Sequence, residues 1–249
     1  MHNRHTFALH VASLDTYLTN NTIGDVITIL DKDLYNRVTV ILRLRASSSV
    51  ILFNARYNVL CQLDIITTKN SLTLTIQAKN TTEALQPPIV LYQGLTKKNV
   101  FEEIVYSAAQ LGVATIVPVL TSKIHKMWDI EYERTRLNAI MLAACEQAKN
   151  FIPPMLTSPL HYTLINTHIN KTYISLLLDP CGESLTTLFS KASHQPVVGY
   201  NVFLGAEGGL THDEQTLLLA QNFIPTKLCT SILRSQDAAL VSLGILRSF

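Results

Sequence analysis

The stretch Val197-Val198-Gly199-Tyr200-Asn201-Val202-Phe203-Leu204-Gly205-Ala206-Glu207-Gly208-Gly209-Leu210-Thr211-His212-Asp213-Glu214 reads as strand, glycine-rich turn and helix. Its apolar run, Val197 to Phe203, supplies the strand, and the polar Thr211 to Glu214 opens the helix. Three glycines within five residues let the backbone take positive φ and approach a ligand without Cβ interference. The turn is therefore a candidate cofactor cradle.

Around this stretch the chain alternates. Ile89 to Leu91 reads as a strand, Val100 to Leu111 as a helix, Thr115 to Leu120 as a strand, Ile130 to Lys149 as a long helix, and Tyr173 to Leu178 as a strand. Helices over Asp213–Gln221 and Gln236–Leu246 close the pattern. Strands alternating with helices predict an α/β fold with a mostly parallel sheet, whose ligands sit beyond the carboxyl ends of the strands. Gly205 to Gly209 lies at such an end.

Upstream of about residue 85 the organisation differs. Short β-rich runs recur at Val26–Leu30, Val38–Leu44, Val50–Phe53, Val59–Ile66 and Leu72–Ala78, and Leu72-Thr73-Leu74-Thr75-Ile76-Gln77 alternates as a half-buried strand requires. These runs predict a small β-barrel. Asn80 to Glu83 and Pro87-Pro88 form a linker, because tandem prolines cannot continue a ladder. The expected domains are residues 1–80 and 88–249.

Composition bounds the functional classes. The 249 residues are 47% hydrophobic and 15% charged, with a formal net charge of +2, which supports a large buried core and argues against disorder. A mildly basic balance permits a nucleic-acid partner without demanding one. Cys61, Cys145, Cys181 and Cys229 lie far apart with no zinc-ligand spacing, so we expect reduced, mostly buried thiols and no metal. The first ten residues lack a signal peptide's apolar core and no apolar run approaches ~18 residues, so a cytoplasmic protein without a membrane partner is expected. No G-x-x-x-x-G-K-[ST], G-x-G-x-x-G, G-x-S-x-G or H-E-x-x-H pattern occurs, which removes local support for nucleotide hydrolysis, dinucleotide binding, serine hydrolysis and zinc proteolysis.

Four segments occur in a telling order: Gln110-Leu111-Gly112-Val113, Ala144-Cys145-Glu146-Gln147, Gly205-Ala206-Glu207-Gly208-Gly209, and Ser231-Ile232-Leu233-Arg234-Ser235-Gln236-Asp237-Ala238. Together they resemble the E-L-G-V, A-x-E-Q, G-P-E-G-G and R-[IV]-L-R-T-E-T-A segments of the RsmE-type RNA methyltransferases of the SPOUT superfamily. Ile41-Leu42-Arg43 and Leu52-Phe53-Asn54-Ala55 are similar to elements of that family's N-terminal PUA-like barrel, so the resemblance spans nearly the whole chain. It implies a trefoil-knotted C-terminal methyltransferase domain, a homodimer, S-adenosylmethionine as cofactor, and N3 methylation of a uridine in 16S rRNA within the small ribosomal subunit.

On this reading three loops form the cofactor pocket: Leu178 to Pro180, Leu204 to Gly209, and Leu228 to Leu233. Leu178, Leu204, Leu228, Ile232 and Leu233 supply walls, and Gly205, Glu207, Gly208 and Gly209 supply the loop that approaches the ligand. Arg234 is the candidate catalytic cation, placed to stabilise the uridine anion. Each has a plainer alternative: an arginine pairing near the last helix, a carboxylate favoured before a helix N-terminus, glycines serving a tight turn. Arg37, Arg43 and Arg45, expected on barrel strands, read either as RNA-phosphate contacts or as solubilising charge. Trp128 and Tyr132 read as packing groups.

The sequence also departs from the family pattern. Ala206 replaces the turn's proline, Cys229 a glycine, Ser231 the first arginine of R-I-L-R, and Gln236-Asp237 the usual Glu-Thr. Two alternatives to an active uridine methyltransferase follow: a knotted RNA-binding or ribosome-assembly protein with weakened catalysis, and a SPOUT enzyme with another RNA target.

Overall fold

The structure, a computed structural model, describes residues 6–64, 70–124, 127–191 and 197–248. The chain divides into two compact units, Met1–Glu83 and Ala84–Phe249.

In the first unit the order is β1 (Phe7–His10), α1 (Leu14–Leu18), β2 (Val26–Leu30), α2 (Lys32–Asn36), β3 (Ser49–Phe53), β4 (Tyr57–Leu63) and β5 (Ser71–Thr81). The strands form one sheet in the order β1-β3-β4-β5-β2, antiparallel except for the β1/β3 pair. Alternation in β5 does what the pattern requires: Leu72, Leu74 and Ile76 point into the core with Leu52, Val59 and Cys61.

The expected strand at Val38–Leu44 is not one. Asp31 caps α2, its carboxylate accepting from the Asp33 and Leu34 amides, and the helix runs on into a π-helical turn at Arg37–Ile41. The reason is spacing: Leu34, Val38 and Leu42 recur every four residues and pack together on the core, while Val40 and Ile41 face solvent. A short β-branched run cannot be told from a helix by composition alone. Arg37, Arg43 and Arg45 consequently lie on no strand. Arg37 opens the π-turn, Arg43 sits in the left-handed region at φ 52°, and Arg45 is in a turn closed by its carbonyl accepting from the Ser48 amide. Of the expected Val59–Ile66 strand, residues 65 and 66 lie outside the described residues.

The second unit continues with β6 (Ile89–Gly94), α3 (Lys98–Gln110), β7 (Thr115–Leu120), α4 (Ile130–Ala148), β8 (Met155–Leu156), β9 (Leu160–His161), a 3-10 turn (Tyr162–Thr167) and β10 (Ile174–Ser184). It ends with α5 (Leu185–Lys191), β11 (Tyr200–Leu204), α6 (His212–Ala220), β12 (Ile224–Lys227) and α7 (Ser235–Leu246). Every strand pair in this sheet is parallel, in the order β12-β10-β11-β6-β7-β8 with β9 also on β7. The parallel α/β core expected from the alternation is thus present.

Central β11, between β10 and β6, is buried along its whole length, as a parallel strand covered on both faces must be. Thr211 and Glu214 close a capping box that starts α6. At the other end of the unit, Arg247 donates to the carbonyls of Pro87 (2.6 Å), Leu111 (2.8 Å) and Gly112 (2.5 Å), fastening α7 to the end of α3.

Candidate functional site

Four loops leave the carboxyl ends of adjacent strands and meet around one cavity of about 710 Å³. They follow β6 (Lys97 to Val100), β10 (Leu178 to Pro180), β11 (Leu204 to Leu210) and β12 (Leu228 to Arg234), and the start of α7 completes the wall.

Close backbone approach sets the shape. A Cβ on Gly94, at the end of β6, would lie 2.5 Å from the Ala206 nitrogen and 2.9 Å from the Gly205 carbonyl carbon, so only glycine lets the turn seat there. Buried Gln93 adds polar ties: its Nε2 donates to the Gly94 carbonyl (2.9 Å), and Ser235 Oγ donates to the Gly205 carbonyl (3.3 Å). On the β10 side the register with β12 shifts between Leu178 and Glu183, and the chain bulges outward. Gly182 makes that bulge possible, because a Cβ there would overlap the backbone of Pro225 and Thr226. Asp179 stabilises it, Oδ1 accepting from the Cys181 amide (2.7 Å) and Oδ2 from Gln215 Nε2 (3.1 Å).

Of the residues expected to hold a cofactor, Leu178, Leu204, Gly205, Glu207, Gly209, Leu228, Ile232 and Leu233 all line this cavity, and Arg234 does too. Ile232 is 84% exposed, an apolar side chain left uncovered among the described residues. Gly209 takes φ +67° with no atom within 4 Å of where a Cβ would be, so backbone is presented to open space. Gly208 is placed differently. It is not among the lining residues, and a Cβ on it would rest 3.0 Å from the Lys123 side chain and carbonyl. Glu207 spans the site rather than pointing at it alone, with Oε1 accepting from the Lys97 amide at 3.1 Å. Arg234 is the N-cap residue of α7, exposed, and its guanidinium pairs with no protein group among the described residues.

Sequence reading missed Lys97, Asn99, Gln215 and Lys227. Lys97 and Asn99 belong to the start of α3, more than a hundred positions from Glu207, and carry no motif of their own. Gln215 is one turn into α6. Lys227 ends β12, a four-residue strand containing Pro225, which breaks the pattern by which strands are recognised.

A second set of contacts fixes the turn from behind. Glu214 is fully buried, accepting from Ser122 (2.5 Å) and Thr211 (2.7 Å) amides, while Lys123 Nζ donates to the Leu210 carbonyl (2.9 Å). Burial raises the Glu214 pKa, but the bonds from Thr211 and Ser122 outweigh it and hold the carboxyl below its ordinary value. Trp128 packs edge-on against Phe101 and donates to the Thr96 carbonyl, a packing role, whereas Tyr132 is exposed. The thiols split evenly. Burial pushes Cys61 and Cys145 up to about 12, whereas Cys181 and Cys229 are exposed, Cys229 on the cavity wall. Among the described residues no group of three or more His, Cys, Asp or Glu is arranged to hold a metal, and no helix is long and apolar enough to cross a membrane.

Residues 83–247 match a family described as RNA methyltransferase domain. Curated relatives include the ribosomal RNA small subunit methyltransferase E of Buchnera aphidicola subsp. Acyrthosiphon pisum, 24% identical over 220 residues that cover 85% of this chain and 83% of that protein. The protein of the same description from Rickettsia conorii is 25% identical over 216 residues, covering 84% of each. Among solved structures, the ribosomal RNA small subunit methyltransferase E from Neisseria gonorrhoeae bound to S-adenosyl methionine aligns with a TM-score of 0.80 at 20% identity, over 98% of both chains. A Legionella pneumophila methyltransferase in complex with the same cofactor gives 0.78 at 22%, again over 98% of both. At these identities the structural likeness establishes the fold.

Proposed function

Because the chain belongs to the RNA methyltransferase domain family, we propose that it methylates the N3 nitrogen of a uridine in 16S rRNA of the small ribosomal subunit, using S-adenosylmethionine. The observation that carries the reading is the convergence of the loops after β10, β11 and β12 on one cavity, lined by eight of the nine residues read as cofactor contacts. Its volume lies within the roughly 300–1,000 Å³ typical of small-molecule sites. It combines leucine and isoleucine walls with glycine backbone at Gly205 and Gly209, which fits a nucleoside-bearing cofactor.

When bound, the cofactor supplies an already activated methyl group, so the protein's task is positioning and charge. Leu178 and Leu204 give the cavity an apolar wall, and exposed Ile232 is left for the ligand to cover. Backbone of the Gly205–Gly209 turn approaches the ligand, and Glu207 holds that turn to the start of α3. Arg234, a cation at the wall with no side-chain partner among the described residues, stabilises negative charge as the uridine N3 proton leaves.

The remaining assignments belong to the same reading. The first unit is a PUA-like barrel that binds RNA, with Arg37, Arg43 and Arg45 contacting phosphates from helix and turn positions. The second is a SPOUT domain with a trefoil knot, supported by β12 lying beyond β10 after β11 has been laid between β10 and β6. The working form is a cytoplasmic homodimer, supported by the exposed Leu240 and Val241 on α7.

The test is mass mapping of small-subunit rRNA nucleosides from cells lacking the protein, with purified protein and S-adenosylmethionine added back to those subunits. Loss and restoration of one N3-methyluridine is expected. Unchanged methyluridine content refutes the target.

A further inference from the structure

Among the described residues five charged ones line the cofactor cavity: Lys97, Lys227 and Arg234 against Asp179 and Glu207. Both carboxylates already serve protein donors, Asp179 the Cys181 amide and Gln215, Glu207 the Lys97 amide. None of the three cations has a side-chain partner among the described residues. The lining therefore carries one net positive charge. Lys97 and Arg234 are also the N-cap residues of α3 and α7, so two positive helix ends add to it.

S-adenosylmethionine worsens this balance. It brings one carboxylate but also an ammonium and a sulfonium, so the loaded site would hold two uncompensated positive charges. The cofactor's single carboxylate can answer one cation, for which Lys227 is placed, half-buried at the end of β12. Arg234 is assigned to the uridine. Lys97 is left over, exposed on the rim beside Asn99.

We propose that Lys97 binds a phosphodiester of the RNA substrate, and that this anion offsets one of the two uncompensated positive charges of the loaded cofactor site, so that RNA and S-adenosylmethionine strengthen each other's binding. The inference rests on the methyltransferase reading and adds a phosphate subsite and a coupling to it. Glu207 serves the subsite by fixing the Lys97 backbone, which ties the rim to the glycine turn beneath it. Linkage makes the effect reciprocal: the factor by which RNA raises cofactor affinity equals the factor by which the cofactor raises RNA affinity.

Calorimetric titration of S-adenosylmethionine into the full chain, with and without a saturating short oligouridylate, tests this. The cofactor Kd should fall roughly three- to tenfold with the oligonucleotide, the size expected for one charge across a solvated cleft. Lys97→Gln should abolish that gain, and Lys97→Arg should retain it. S-adenosylhomocysteine, which lacks the sulfonium charge, should show a smaller gain. Equal gains for the two ligands, an undiminished gain in Lys97→Gln, or an equal gain from inorganic phosphate at matched ionic strength would overturn the proposal. Cofactor binding with no gain overturns this inference alone; no cofactor binding in either state overturns the methyltransferase reading itself.

Discussion

Replacing Gly94 by alanine adds one methyl group at the closest backbone approach in the site. The new Cβ would stand 2.5 Å from the Ala206 nitrogen, 2.9 Å from the Gly205 carbonyl carbon and 3.2 Å from the Gly205 Cα. All three are backbone atoms, so no side chain can swing aside. Reaching ordinary contact of ~3.5 Å requires the turn to retreat from β6 by roughly 1 Å. Overpacking of this kind costs about 1–3 kcal/mol, which for a unit of this size lowers Tm by roughly 2–12 °C. The same retreat moves the turn relative to the loops after β10 and β12, and a displacement of ~1 Å in a preorganised site can cost up to about a hundredfold. Calorimetry should show S-adenosylmethionine affinity reduced by roughly ten- to a hundredfold, with a lowered melting temperature. Gly244→Ala is the matched control: no atom lies within 4 Å of its Cβ and it sits inside α7, so it should stabilise by about 0.5–1 kcal/mol. Wild-type cofactor affinity and an unchanged Tm in Gly94→Ala would refute the argument that this contact seats the turn.

Four further outcomes are expected. Arg247→Ala leaves the carbonyls of Pro87, Leu111 and Gly112 without their shared donor and should destabilise the second unit by about 2–4 kcal/mol in denaturant titration. The carboxyl of Glu214 is held below its ordinary value, so its contribution to stability is complete above the unfolded carboxylate pKa of about 4.3 and is lost as pH falls through the lower folded value; Glu214→Gln should flatten that acid limb in pH-dependent melts. A thiol reagent near neutral pH should label Cys181 and Cys229 well before Cys61 and Cys145, and S-adenosylmethionine should protect Cys229 on the cavity wall, as read by peptide mass mapping. Arg234→Ala should lower turnover more than cofactor affinity; equal losses would make it a binding residue instead.

Much of the second unit was legible because its signals are local. The bounds of β7 agree with the predicted Thr115–Leu120, and those of α3, α4, α6 and α7 with the predicted helices to within two residues. Thr211 and Glu214 announce α6 by chemistry confined to one turn. The failures were local as well. Val38–Leu44 has strand composition, yet its core contacts follow a four-residue period inherited from α2. β12 escaped notice because four residues around a proline carry no period.

What the sequence determined by itself was the longer helices and central strands of the second unit and the glycine turn after β11, since apolar periodicity, capping and glycine placement act over a few residues. Tertiary structure alone decided which loops share the cavity. β12 pairs with β10 in parallel, burying Thr226, and nothing in the four residues Ile224 to Lys227 announces that neighbour. Lys97 reaches the site because Gly94 has no side chain and Glu207, 110 positions away, accepts its amide. Gly208, flanked in sequence by the cavity residues Glu207 and Gly209, lies against Lys123 instead. Side-chain direction at a turn is set by distant packing partners, which is why the motif located the site while the contacts defined its lining.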